Sequence, residues 1–244
     1  MILAPATSQA RRLASVGLLA LLLAGCASVP AVAPTASPAA PATIPPTTPP
    51  YTLAPTPEGC PTTAPVALSG TATVTMTTNF GTIVIKVDAS LGPNAAGTFV
   101  ALAKCGYYNN VIFHRIVTSF VIQAGDGTYG REPALDVSKI GTGGPSWSVT
   151  DDKVTTAYKR GTVALANTGA ANSANSQFFI VLSDTAWTAT TPKTYSIFGN
   201  VTSGLDVVDR IAKVPTGGEP GSDGSPASLP LQPIVITGTT VATP

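Results

Sequence analysis

The sequence of 244 residues offers few groups that could bind a metal ion or a nucleic acid. His114 is its only histidine, and its three cysteines form no Cys-x-x-Cys pair, which argues against a histidine or thiolate metal site. Charged residues make up only 10% of the chain, and no basic run is present. We therefore expect no metal, no other cofactor and no nucleic-acid partner.

The apolar run at residues 13–23 is too short to cross a bilayer as a mature helix, which takes about 20 residues. Arg11 and Arg12 precede it and Leu-Ala-Gly-Cys26 ends it, a pattern that predicts an export signal over residues 1–25. The four-residue sequence resembles the bacterial lipobox, which implies cleavage before Cys26 and lipidation of its sulfur. The protein would then be anchored to the bacterial cell membrane with its domain on the extracytoplasmic side. A soluble secreted protein is the alternative.

Residues 26–69 have too few large apolar and charged side chains for a folded domain. Twelve of the 23 prolines lie between residues 27 and 69, and Glu58 is the one charged residue there. Such a segment forms neither a helix nor a packed core. We expect residues 26–69 to be a disordered tether in an extended, polyproline-like conformation.

Residues 70–242 have the pattern of a folded domain. Short strand-forming runs recur along it, and a turn signal at Asn79-Phe80-Gly81 separates the first two, which predicts a hairpin. Apolar residues at helical spacing predict helices over residues 94–104 and 205–214. Many short strands with a helix near each end predict a mainly β fold, a closed eight-stranded antiparallel β-barrel capped by two α-helices. We expect the domain to be a monomer.

The stretch at residues 113–126, FHRIVTSFVIQAGD, contains a charged and an amide side chain in an otherwise apolar run. An arginine in such a run is costly to bury unless it has a partner or a function. Arg115 and Gln123 are therefore candidates for a site. A structural ion pair is the other interpretation of Arg115.

Residues 113–126 closely resemble the active-site signature of the cyclophilins, which are peptidyl-prolyl cis-trans isomerases. Further segments match that family in its own order, and the resemblance covers about residues 71–242. These are GTGGP at 141–145, ALANT at 164–168, NSQFFI at 175–180, Trp187, and YSIFG at 195–199. The resemblance implies a cyclophilin-like fold, isomerase activity and proline-containing polypeptides as substrates.

The resemblance implies that Arg115 is the catalytic residue. Rotation about an X–Pro bond has a barrier of about 18–20 kcal/mol because the amide is resonance-stabilised. A fixed cation beside the prolyl nitrogen favours the twisted amide without any proton transfer, and arginine keeps its charge at every ordinary pH. The remaining site residues implied by the family are His114, Phe120, Val121, Gln123, Ala166, Asn167, Thr168, Gln177, Phe179, Trp187 and Tyr195. Among them His114 lines the pocket or is structural, because the reaction needs no base.

Several positions depart from the family pattern. Val121 stands where methionine is frequent, Ala124 replaces a glycine, and Thr188 follows Trp187 where an apolar residue is usual. The stretch at residues 127–140 is longer than in short bacterial members and is expected to lie beside the site. The sequence GDGTYG at 125–130 satisfies G-x-G-x-x-G, but Pro133 follows where a dinucleotide site needs a helix.

Two interpretations of Cys60 and Cys105 remain open, a disulfide of an exported protein or two free thiols.

The function that we expect is peptidyl-prolyl isomerisation during the folding of exported proteins. A proline-peptide binding module or holdase with little turnover is the main rival, and a stalked surface adhesin is a third hypothesis.

Overall fold

The computed structural model describes residues 55–188, 193–217 and 228–243. The predicted export signal, Cys26 and most of the predicted tether lie outside these residues. No helix in the described ranges is both long and apolar enough to cross a membrane. The elements are, in chain order, β1 (Thr71–Thr78), β2 (Gly81–Asp88), α1 (Pro93–Lys104), β3 (Phe113–Val117), β4 (Val121–Ala124), β5 (Gly130–Arg131), β6 (Ala134–Leu135), β7 (Thr162–Leu165), β8 (Phe178–Val181), β9 (Ile197–Ser203), α2 (Leu205–Ile211) and β10 (Ile236–Ala242).

The predicted hairpin and the first helix are confirmed. β1 and β2 pair in antiparallel register from Thr71 opposite Asp88 to Thr78 opposite Gly81. The carboxylate of Asp152 accepts hydrogen bonds from the first backbone N–H groups of α1, at 3.2 Å from Asn94 N and 2.9 Å from Ala95 N. This cap satisfies donors that have no partner inside the helix. The second helix, α2, is shorter than predicted because it ends at Ile211.

Eight strands form one curled antiparallel sheet in the order β10-β1-β2-β9-β7-β8-β4-β3. The predicted closed barrel is wrong, because the two outer strands, β3 and β10, do not pair along a ladder. An isolated bridge between Ile112 and Val235 and a 2.9 Å hydrogen bond from Phe113 N to the Ile234 carbonyl bring the edges together. The contact involves residues at or before the start of both strands, so it is too short to close the sheet.

Strands β4, β7 and β8 are buried on both faces except at Gln123, and alternation divides their apolar side chains between two clusters. In β8, Phe178 and Ile180 join the main core, whereas Phe179 and Val181 join the second cluster. The main core fills the inside of the curled sheet, where Phe99 of α1 packs 5.1 Å from Phe178, centroid to centroid. The second cluster lies on the opposite face, where it forms part of a cleft.

Cys60 and Cys105 form a disulfide bond. Residues after Cys60 also lie against the domain, where Trp147 Nε1 donates to the Pro61 carbonyl at 3.1 Å and Leu68 N donates to the Pro93 carbonyl at 2.9 Å. Gly97 of α1 permits this approach, since a Cβ there would collide with the Val66 carbonyl. The end of the predicted tether, from Cys60 on, therefore belongs to the folded domain.

Candidate active site

Strand pairing brings the key polar and apolar residues into one row. Arg115 of β3 lies opposite Gln123 of β4, and Gln123 lies opposite Phe179 of β8. Side chains of paired residues point to the same face of a sheet, so a cation, an amide and a phenyl ring are neighbours. All three line a cleft of about 400 Å³. We call Arg115, Val121, Gln123 and Phe179, which line this cleft from the sheet, the floor.

A β-bulge in β3 explains why two consecutive residues, His114 and Arg115, both line the cleft. The register shifts between Phe113, opposite Ala124, and Arg115, opposite Gln123. The extra residue changes the phase of the alternation, so Phe113 and Ile116 both face the main core. Without the bulge, Phe113 and Arg115 would share one face.

Three polar side chains form a chain of hydrogen bonds that starts in the cleft and continues behind it. Arg115 Nη1 donates to Gln123 Oε1 at 3.4 Å, and Gln123 Nε2 donates to Gln177 Oε1 at 3.0 Å. Gln177 Nε2 in turn donates to the carbonyls of Gly141 and Gly143, both at 2.9 Å. The amide groups therefore have defined orientations, and that of Gln123 presents its oxygen to the Arg115 guanidinium.

Aromatic rings close one end of the cleft. Trp187 stacks on Phe120 at 4.7 Å, on Tyr158 at 4.3 Å and on Phe179 at 5.6 Å between ring centroids. Tyr195 meets Phe179 edge-on at 5.2 Å. Together with Val121, the rings of Phe120, Phe179, Trp187 and Tyr195 form an apolar surface in the same cleft as the Arg115 guanidinium.

The opposite side of the cleft is formed by loops. We call its residues the wall: Val137, Ser138, Ile140, Gly141, Thr142, Ser228 and Leu229. Val137, Ser138 and Ile140 belong to the long segment that the sequence placed beside the site, and Gly141 and Thr142 directly follow it. Arg131 fixes the start of this segment, because its buried guanidinium donates to the carbonyls of Tyr107 at 2.7 Å and Gly127 at 3.2 Å and also to that of Asn109.

His114 lies where the floor strand meets the wall. Its side chain is buried, and a Cβ built on Gly141 would lie 3.5 Å from its Cδ2. Neither ring nitrogen makes a hydrogen bond within the described part of the chain. Burial lowers the pKa of His114 from 6.5 to about 4, the Asp126 carboxylate opposes the shift, and the Arg115 guanidinium adds to it. The ring is therefore neutral at pH 7.

The structure brings together the predicted site residues, with two exceptions. Gln177 lies behind Gln123 and does not line the cleft. Thr168 also does not line it, and its backbone N–H donates to Ser173 Oγ at 3.1 Å. The others surround the cleft, namely His114, Arg115, Phe120, Val121, Gln123, Ala166, Asn167, Phe179, Trp187 and Tyr195.

One departure from the family pattern has a structural explanation. Ala124 is a strand residue of β4 with an ordinary backbone conformation, so a methyl group is tolerated there. The next residue, Gly125, has φ of 100°, and a Cβ on it would lie 2.8 Å from the Gln177 Cα. The glycine that this turn requires is therefore present.

The wall residues Ser228 and Leu229 are cleft residues that sequence reasoning missed. They follow a Gly/Pro/Ser-rich stretch, and nothing in their own pattern distinguishes them from other loop residues. A signal for Val137 and Ile140 did exist, since apolar residues in an extended loop beside a site are candidates for substrate contact.

Comparisons with known proteins agree with this geometry. The family model of the cyclophilin-type peptidyl-prolyl cis-trans isomerases matches residues 73–241. A peptidyl-prolyl cis-trans isomerase of Streptomyces antibioticus is 35% identical over 68% of this chain and 95% of its own length. Peptidyl-prolyl cis-trans isomerase B of Escherichia coli strain K12 is 34% identical over 69% of this chain and 99% of its own length.

Solved structures show the same similarity. A cyclophilin-type isomerase of Cryptosporidium parvum superposes with a TM-score of 0.58 at 26% identity, over 71% of this chain and 99% of its own. A second structure of that protein, obtained in the presence of the dipeptide Ala-Pro, has a TM-score of 0.57. The chain belongs to the cyclophilin-type peptidyl-prolyl cis-trans isomerase family. It is thus an isomerase of X–Pro peptide bonds.

Proposed function

We propose that Arg115 catalyses the isomerisation by stabilising the twisted X–Pro amide over the floor. The observation that carries this proposal is the row Arg115–Gln123–Phe179 in one cleft. An apolar surface binds the proline ring and excludes water, which strengthens the field of the adjacent guanidinium. The prolyl nitrogen regains a localised lone pair as the amide twists, and a fixed N–H donor stabilises it at that moment.

The substrates would be proline-containing polypeptides. In support, the similar Cryptosporidium parvum protein was crystallised in the presence of Ala-Pro. Ala166 and Asn167, which follow β7 at the edge of the cleft, would pair with the peptide backbone before the proline. The wall would contact the residues that flank the X–Pro bond, since Val137 is 56% exposed and lines the same cleft.

A protease-coupled assay with an Ala-Pro peptide tests the catalytic role of Arg115. We expect Arg115→Ala to lower kcat/KM by about 100- to 1,000-fold, the loss typical of a removed electrostatic donor. The matched control is Arg210→Ala, since Arg210 is an exposed residue of α2 that pairs with Asp206 at 2.7 Å. Its kcat/KM should equal that of the wild type.

The rival function, a proline-peptide binding module or holdase, is favoured by one observation, the apolar wall residues Val137, Ile140 and Leu229 in the same cleft as the aromatic rings. The same assay separates the two functions. A wild-type rate no higher than that of Arg115→Ala, together with retained binding of the peptide, would support the binding module and contradict our proposal.

We further propose that the isomerase acts on exported proteins from a lipid anchor at Cys26. The export pattern at residues 1–25 and the Pro-rich residues 26–59, which precede the disulfide-bonded Cys60, support this arrangement. X–Pro isomerisation is slow enough to limit folding, so a catalyst outside the cytoplasm has substrates. Metabolic labelling with a palmitate analogue should modify the wild type and not Cys26→Ala. An unlabelled wild-type protein would contradict the lipid anchor.

A further inference from the structure

Asp126 is a buried carboxylate at the junction of floor and wall. Its side chain has 0% relative exposure, and it accepts hydrogen bonds from four backbone N–H groups. Oδ1 accepts from Thr128 N at 3.0 Å and Tyr129 N at 2.8 Å, and Oδ2 accepts from Gly141 N at 2.7 Å and Gly143 N at 3.0 Å. No salt bridge to it is found among the described residues. The backbone donors thus compensate the burial of the charge.

The two oxygens of Asp126 hold different parts of the chain. Oδ1 fixes the turn that follows β4, whereas Oδ2 fixes the two glycines at the far end of the long loop. Gly143 must be a glycine here, because a Cβ would collide with Asp126 Oδ1. Asp126 therefore closes the loop that carries the wall.

The same two glycines are the acceptors of Gln177. Their N–H groups donate to Asp126, and their carbonyls accept Gln177 Nε2 at 2.9 Å. Each of these carbonyls shares a peptide plane with the N–H of the next residue, and these N–H groups are also bonded, Thr142 N to the Lys139 carbonyl at 3.0 Å and Gly144 N to Thr128 Oγ1 at 3.1 Å. The turn that Asp126 holds at both glycines therefore presents their carbonyls in fixed directions. Gln177 cannot reverse its amide without placing an oxygen against both carbonyls, so its Oε1 is directed at Gln123.

Hydrogen bonds and the backbone of two glycines thus link Asp126 to the guanidinium of Arg115. The path runs through Gly141 and Gly143 to Gln177, then to Gln123, and ends at Arg115 Nη1. Each amide in the path is both donor and acceptor, so neither can turn without breaking a bond at each end. The path begins at a charged acceptor, and hydrogen bonds to a charged group hold their geometry more strongly than neutral ones.

We propose that Asp126 is a positioning residue of the isomerase. It orients the Arg115 guanidinium through Gly141, Gly143, Gln177 and Gln123. The inference rests on the catalytic role proposed for Arg115. Asp126 contacts no substrate in this account. Its effect on the reaction passes entirely through the direction in which Arg115 points.

A double-mutant cycle on the turnover of an Ala-Pro peptide tests the proposal. Asp126→Asn keeps the shape of the side chain, but its amide N–H₂ group cannot accept hydrogen bonds. One of the two pairs of backbone N–H groups, that of Gly141 and Gly143 or that of Thr128 and Tyr129, therefore loses its acceptor. We expect kcat to fall about tenfold in the wild-type background, and less than about twofold when Arg115 is already lysine, because coupled residues are not additive. Equal losses in both backgrounds would overturn the proposal.

The matched control is Asp152→Asn. Asp152 also accepts two backbone N–H bonds, but at the start of α1, and it does not line the cleft. This variant should lose stability with an unchanged kcat.

If Asp126→Asn does not fold, Gly143→Ala takes its place in the cycle, because its methyl group displaces the loop from Asp126. An unchanged kcat in folded Gly143→Ala would likewise overturn the proposal.

The failure of this inference and that of the catalytic proposal give different results. If Arg115→Lys alone leaves kcat unchanged, the role of Arg115 is wrong. If Arg115→Lys lowers kcat but Asp126→Asn lowers it further by the same factor in both backgrounds, only the positioning role of Asp126 is wrong.

Discussion

The two sides of the cleft are held in place by different means. The floor side chains project from β3, β4 and β8, so the ladder that pairs Arg115 with Gln123 and Gln123 with Phe179 fixes their positions. The wall projects from loops, and the loop that carries Val137 to Thr142 depends on two buried charges, Asp126 and Arg131, that bind backbone groups. Strand pairing distributes the constraint over many hydrogen bonds, whereas the wall depends on a few. We infer that the floor supplies binding and catalysis and that the wall adjusts them.

The largest effect that we expect comes from the floor. Phe179→Ala should lower the free energy of unfolding by about 3–5 kcal/mol, because it leaves a cavity in the second apolar cluster. It should also lower kcat/KM by about 10- to 100-fold, since a buried phenyl ring contributes on the order of 1.5–3 kcal/mol of apolar contact. Chemical denaturation and the protease-coupled assay measure the two quantities.

The control for Phe179→Ala is Phe198→Ala, which removes a fully buried ring of the main core. It should cost a similar stability, but the folded fraction should keep its kcat/KM. An equal loss of kcat/KM in both variants would contradict the distinct role of the floor.

A smaller effect is expected at His114, where floor and wall meet. Its pKa is lowered by burial to about 4 in the fold and is 6.5 when unperturbed, so the unfolded chain binds the proton more readily. The stabilisation by the neutral ring is complete above pH 6.5 and is lost as the pH falls towards 4. Over this range the free energy of unfolding should fall by about 3 kcal/mol.

His114 is the only histidine, so the pH dependence above pH 5 can be attributed to it. Denaturation of wild type and His114→Gln at a series of pH values provides the measurement. The slope between pH 5 and 6.5 should be much reduced in the variant. A slope of the same size in both proteins would show that the ring is accessible to protonation in the folded state.

The smallest effect is expected at the wall. Val137→Ser should raise KM about two- to threefold for peptides with an apolar residue beside the X–Pro bond, because a half-exposed valine loses less than about 1 kcal/mol of contact. Its unfolding free energy should stay within about 0.5 kcal/mol of wild type, as at other exposed positions. Val66→Ser, at an exposed valine outside the cleft, is the control. A fall in kcat/KM as large as that of Phe179→Ala would remove the distinction between wall and floor.

The difference between floor and wall also explains what the sequence could predict. Strand residues such as Phe178 and Phe179 alternate between two faces, and a family motif fixes which face is functional, so Arg115, Gln123 and Phe179 could be placed in advance. The bulge at His114 could not, because it depends on the register between two strands. The open edge between β3 and β10 was missed for the same reason, since a strand pattern does not show how many residues pair.

Loop residues were harder to predict because their positions come from contacts that are distant in sequence. Ser228 and Leu229 line the cleft although they lie near the C-terminal end of the domain in sequence, and no local pattern marks them. Asp126 appeared in the sequence as the end of a motif, but its four backbone partners become evident only when the loop is folded. Charged residues that bind backbone groups cannot be distinguished from surface charges by sequence pattern alone.

The most direct test of the central claim is the rate of cis-trans exchange of a peptide while it is bound. Nuclear magnetic resonance exchange measurements on an Ala-Pro peptide, with wild-type protein and with Arg115→Lys, separate binding from catalysis. Our account predicts that peptide affinity changes less than about threefold, whereas the exchange rate on the protein falls by about 100-fold or more. An unchanged exchange rate in Arg115→Lys would contradict the claim that Arg115 stabilises the twisted amide.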